Sequence, residues 1–123
     1  MKRVLDVGQC GPDHWSIRRL LEREFQAEVV QADSASETLD RLRGEQFDLV
    51  LVNRKLDADY SDGMDIIRQM KADSALASVP VMLVSNYSEY QAEAIAAGAT
   101  AGFGKAELGA KEMLERLKSV LGA

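Results

Sequence analysis

The sequence predicts an α/β fold: a doubly wound parallel sheet of five strands with helices on both faces. Three observations carry this expectation. Short apolar runs alternate with amphipathic runs along the whole chain, five times over. The run "FDLVLV" (residues 47–52) is almost wholly apolar, as expected of a strand buried on both faces. Connections are short, with no linker, repeat or low-complexity tract, so the 123 residues are expected to form a single domain spanning residues 1–123.

The elements follow in order. "RVLDV" (residues 3–7) is the first strand, and "GPDHWSIRRLLEREF" (residues 11–25) is a helix with Pro12 in its first turn. "AEVVQA" (residues 27–32) is the second strand. Ser34 and Glu37 have the spacing of a capping box and open a helix that Gly44 ends. After the third strand comes a polar loop, "NRKLDADYSD" (residues 53–62), and then the helix "GMDIIRQMKAD" (residues 63–73). Its Met64, Ile66, Ile67 and Met70 have ordinary core spacing. "VPVMLVS" (residues 79–85) is the fourth strand. Ser88 and Gln91 predict a second capping box, for a helix ending at Gly98. "TAGFG" (residues 100–104) is a weak, glycine-rich fifth strand. The last helix, residues 110–121, places Met113, Leu114, Leu117, Val120 and Leu121 on one stripe.

Composition narrows the function classes. The net charge is −5, which gives no footprint for nucleic acid. No run resembles a membrane span or a signal peptide, and no membrane partner is expected. One cysteine, Cys10, excludes an internal disulfide and a cysteine-based metal cluster; one histidine, His14, excludes a histidine-rich site. A cytoplasmic setting is expected.

In a doubly wound sheet, chemistry sits at the carboxyl ends of the strands. The segments to inspect are residues 8–11, 53–62, 85–88 and 102–105. "GQCGP" reads as a tight turn into a proline-started helix rather than an anion cradle, and Cys10 as a partly buried, inert thiol. Asp6 shares a face with Gly8 in the interior of the first strand. An acid there is expected to be satisfied by a neighbouring hydroxyl, amide or water. Asp57, Asp59, Asp62 and Asp65 approach a calcium-loop spacing, but Arg68 stands where the bidentate glutamate belongs. They read as a solvated loop and helix-start acids, and no metal is expected there. Trp15 is expected to pack over the sheet edge. Tyr87 and Tyr90, near the fourth helix start, are either cover for the core or partner contacts.

The segments "FDLVLVN", "DGMDIIRQMKAD", "VPVMLVS" and "AGATAGFGK", in this order and spacing, resemble the response-regulator receiver domains of two-component signalling, over essentially the whole chain. The resemblance implies the flavodoxin-like strand order 2-1-3-4-5. It also implies phosphotransfer onto an aspartate after the third strand, a divalent cation held by an acidic pair after the first, a hydroxyl after the fourth and a lysine after the fifth. Read position by position, the acidic pair falls on Gly8 and Gln9, the acceptor on Asn53, the hydroxyl on Ser85 and the lysine on Lys105. The switch aromatic falls on Gly102, with Phe103 one place later, and the proline after the lysine is Ala106. Asp62 and Gly63 match the helix-start pair. The expectation is a pseudo-receiver: a phosphorylation-independent protein-interaction module, not an enzyme and without a cofactor. A signalling protein or a second copy would meet it at a surface including Tyr90, Glu93, Ala94, Phe103, Lys111 and Glu115. The alternative is a small-anion or metabolite sensor using Gln9, Asn53, Ser85 and Lys105.

Overall fold

Each apolar run becomes a strand of one parallel sheet in the computed structural model, which describes residues 1–122. The strands are β1 (Arg3–Val7), β2 (Glu28–Ala32), β3 (Leu49–Asn53), β4 (Val81–Val84) and β5 (Thr100–Phe103). The helices are α1 (Gly11–Phe25), α2 (Ala35–Gly44), α3 (Gly63–Ala72), α4 (Ser88–Ala96) and α5 (Lys111–Leu121). The strand order is β2-β1-β3-β4-β5, as expected, with Val4 of β1 opposite Val29 of β2 and Leu49 of β3.

Strand alternation sends successive side chains to opposite faces, and each face has its own core. On one, Leu5, Val7, Val50, Val52 and Leu83 meet Met64, Ile67 and Met70 of α3, Leu42 of α2 and Ala94 of α4. On the other, Val4, Leu49, Leu51 and Met82 meet Ile17 and Leu21 of α1 and Met113, Leu117 and Leu121 of α5. β3 lies at the centre, and Leu49 through Val52 are fully buried. That is why this run carries no polar residue before Asn53.

The helix starts follow their caps. Ser34 Oγ accepts from the Glu37 amide at 3.1 Å, and the Glu37 carboxylate accepts from the Asp33 amide at 2.7 Å. Asp62 caps α3 through the Met64 amide at 2.8 Å. The capping box expected at Ser88 and Gln91 does not form: Tyr87 is the N-cap and no side chain caps the helix. Gln91 turns inward. Its amide donates to Leu83 O at 2.9 Å and Ser85 O at 3.1 Å, and its carbonyl accepts from Gly102 N at 3.1 Å. The β4–β5 ladder shifts register between Met82 and Val84, and Gln91 supplies the bonds lost there. The approach is so close that a Cβ on Gly102 would lie 2.2 Å from Leu83 O, so no aromatic side chain fits at that position. A short 3-10 turn, Lys105–Glu107, follows β5 and was not foreseen in the sequence.

Candidate functional site

The carboxyl ends of β1, β3, β4 and β5 converge around Asn53. Its Nδ2 donates to Lys55 O at 2.7 Å and to Gly8 O at 3.3 Å. Gly8 O also accepts from the Asp57 amide at 2.9 Å. The amide of Asn53 therefore ties the loop after β1 to the loop after β3. Gly8 makes this possible with φ +78°, and a Cβ there would lie 2.3 Å from Cδ2 of the fully buried Leu56. The space an acidic side chain would need is already filled by Leu56. Gln9 is only 2% exposed, and among the described residues neither polar atom of its amide head finds a hydrogen-bond partner.

Two acid–base pairs stand beside this link, both supplied by the first turn of α1. Lys105 Nζ lies 2.8 Å from Asp13 Oδ2. The hydrogen bond from Lys105 holds the Asp13 carboxyl below its usual range, with a smaller contribution from Cys10. Asp6 is fully buried, and its Oδ2 lies 2.7 Å from His14 Nδ1. Burial raises the Asp6 carboxyl above its usual range, and the His14 hydrogen bond draws it back in part. Among the described residues Asp6 Oδ1 has no hydrogen-bond partner within bonding geometry. The partner found for Asp6 is an imidazole, which the sequence reading did not include. Lys105, at the position of the family's lysine, is engaged by an acid. Ser85 Oγ accepts from the Tyr87 amide at 3.2 Å and shapes the turn into α4.

Beyond Asn53 opens a cavity of about 360 Å³ between the end of β3 and the start of α4. Arg54, Lys55 and Lys105 line it together with Asn53, Ser85, Tyr87 and Tyr90, and no carboxylate does. Arg54 Nη1 lies 2.6 Å from Asp62 Oδ1, and its guanidinium sits 4.3 Å above the Tyr90 ring. Among the described residues Lys55 makes no ion pair. Gln9 lies outside this cavity, so the four residues expected to form one sensor pocket are not brought together.

A divalent cation does not suit these donors. Hard cations want several carboxylate oxygens, and Gly8, Gln9 and Asn53 provide none. The donor Nδ2 of Asn53, between two carbonyl oxygens, supplies positive polarity where a metal would otherwise draw them together. Among the described residues no group of three or more histidine, cysteine or acidic side chains is placed to hold a metal ion. Two aspartates of the β3–α3 loop are taken up locally: Asp59 accepts from Ser61 Oγ at 2.6 Å, and Asp62 caps α3.

Other positions are placed as follows. Ala94 and Phe103, expected on a partner surface, are 0% and 1% exposed. Both are core residues, because α4 is short and β5 turns Phe103 under α1 and α5. Of the six surface candidates, Lys111 and Glu115 are exposed and Tyr90 and Glu93 are half-buried. Trp15 does not pack over the sheet edge: it is 58% exposed, with the Arg19 guanidinium 4.8 Å from its ring. Tyr87 is exposed and meets Tyr90 edge to face at 5.7 Å, while Tyr90 packs against the core. Asp13 belongs to no motif of the sequence, and Arg54 and Lys55 stand out there only as two positive charges after Asn53. Their signal was position alone: a first-turn acid, and two cations directly after the central strand.

The fold recurs among solved structures. The signal receiver domain of a DNA binding response regulator protein from Colwellia psychrerythraea 34H superposes with a TM-score of 0.82 at 21% identity, over 100% of both chains. A sensor protein from Polaromonas sp. JS666 gives 0.83 at 17% identity, over 98% of this chain and 95% of that one. NtrX from Brucella abortus gives 0.81 at 21% identity, over 97% of this chain but 27% of that longer one. At these identities the likeness establishes the fold. A sequence model of the response regulator receiver domain matches residues 14–118, from the first turn of α1 to the last turns of α5. With that match and the strand order in agreement, the chain belongs to the response regulator receiver domain family.

Proposed function

We propose that this receiver domain serves signal transduction as a protein-interaction module that does not take up a phosphoryl group. The observation behind this reading is the Asn53 amide, which donates to Lys55 O and Gly8 O at the place the resemblance assigns to a nucleophilic carboxylate. An amide nitrogen engaged as a donor neither attacks phosphorus nor binds a cation. Lys105, which would contact transferring oxygens, is held by Asp13 instead. Function then rests on surface shape, with Tyr90, Glu93, Lys111 and Glu115 as the proposed contacts to a protein partner.

Incubation with acetyl phosphate and magnesium, followed by intact-protein mass measurement, should show no phosphoryl adduct. An acid-stable, base-labile adduct mapped to Asp57, Asp59 or another loop acid would overturn this reading. A second reading, a small-anion sensor, gains one specific observation: the cavity beside Asn53 is lined by three basic side chains, Arg54, Lys55 and Lys105, and by no acid.

A further inference from the structure

We infer that the cavity between the end of β3 and the start of α4 takes a small organic anion with a flat apolar body. Lys55 would hold its charged end beside Arg54, and Tyr87 its flat end. The inference rests on the sensor reading and names the ligand class.

The charge argument is specific to Lys55. Lys105 is met by Asp13 at 2.8 Å and Arg54 by Asp62 at 2.6 Å, whereas Lys55 has no carboxylate partner among the described residues. The uncompensated positive charge of the cavity therefore sits at Lys55. Arg54 stands in the same wall, its guanidinium already held by Asp62 and by the Tyr90 ring, and so is fixed in place beside Lys55.

The flat wall is equally specific. Tyr90 offers little free face, since Arg54 covers it at 4.3 Å. Tyr87, 62% exposed, rests on Tyr90 only edge to face and leaves its own ring available. Aromatic rings prefer offset or edge contacts with other flat groups. A volume of about 360 Å³ falls within the small-molecule range, roughly 300–1,000 Å³. Inorganic phosphate would use the charge and leave Tyr87 idle. A divalent cation would be repelled by the uncompensated Lys55 and find no carboxylate in the lining. A partner's acidic chain would need a surface, whereas this site is concave.

The test is titration of the full chain with adenosine monophosphate and salicylate, against neutral adenosine and salicylamide and against inorganic phosphate, read by calorimetry. At least one organic anion should saturate. Its neutral counterpart should bind about tenfold more weakly, the scale of one lost charge-assisted bond. Lys55→Ala and Tyr87→Ala should each weaken binding severalfold, and Lys118→Ala, remote on α5, should not. Phosphate binding as tightly as the organic anions would overturn the flat-body inference and leave the anion sensor standing. No saturation by any probe would overturn both. A final arm titrates a short oligoglutamate peptide, and saturation by that peptide alone would overturn the inference in favour of a protein contact.

Discussion

Replacing Asn53 by aspartate tests the link at the centre of the site. The parent amide gives one hydrogen bond to Lys55 O and one to Gly8 O. A carboxylate offers no donor and sets a negative oxygen against both carbonyls. Lys55 O lies in an exposed contact and can turn to water, and Gly8 O keeps the Asp57 amide. Each lost bond is thus near the low end of the usual range, about 0.5–1 kcal/mol, and the new repulsion adds about 1 kcal/mol, so Asn53→Asp should cost roughly 2–3 kcal/mol at neutral pH. For a domain of this size that is a fall in melting temperature of roughly 6–15 °C. The new carboxyl should have a raised pKa in the folded protein, since two carbonyl oxygens face it, its protonated form can donate to one of them, Arg54 and Lys105 are already met by Asp62 and Asp13, and Lys55 is screened by solvent. An acid raised on folding adds stability below its unfolded pKa and loses it as pH rises through the folded value. The deficit against the parent should therefore shrink from pH 7.5 toward pH 4.5. Scanning calorimetry across that range, with and without millimolar magnesium, measures both effects. A variant as stable as the parent at pH 7.5, or a saturable magnesium stabilisation of the parent or the variant, would refute the reasoning and imply a cation site in the strand-end loops.

His14→Phe removes the 2.7 Å partner of the buried Asp6 carboxylate and should cost about 3–5 kcal/mol at neutral pH. Burial already raises the Asp6 carboxyl and His14 restrains it, so the variant's folded pKa rises further. Its deficit should widen between pH 5 and pH 8 in urea titrations; an equal deficit at both would show that Asp6 does not titrate on unfolding. Gln91→Leu removes the bonds to Leu83 O, Ser85 O and Gly102 N and should cost about 2 kcal/mol. Hydrogen exchange at the Gly102 amide should accelerate more than at Val52 of β3; equal acceleration would mean that the β4–β5 edge does not open separately.

The strands were legible because burial on two faces demands apolar runs, and "LVLV" before Asn53 admits no other reading. Asn53, Ser85 and Lys105 were legible as strand-end positions for the same reason. Their partners were not. Asp6 stood out as a misplaced acid, but its imidazole lies eight residues on, brought over it when α1 folds back across the sheet. Asp13 reaches Lys105 across 92 positions, a pairing that no local pattern encodes. Gln91 shows a real ambiguity: its spacing from Ser88 suits a cap, yet a register shift in a neighbouring ladder claimed it instead. Phe103 and Ala94 were misjudged because short, weakly patterned elements do not announce which side faces inward.

The bond network of Asn53 has a consequence for what can act upon this end of the sheet. A bridge made by a captured ion or a transferred group is filled in proportion to the concentration of that species. A bridge made by a side chain is unimolecular, and its occupancy follows only temperature and the integrity of the fold. The tie between the loops after β1 and β3 therefore has no binding curve. Its occupancy is set by folding of the two loops and not by the concentration of a separate species.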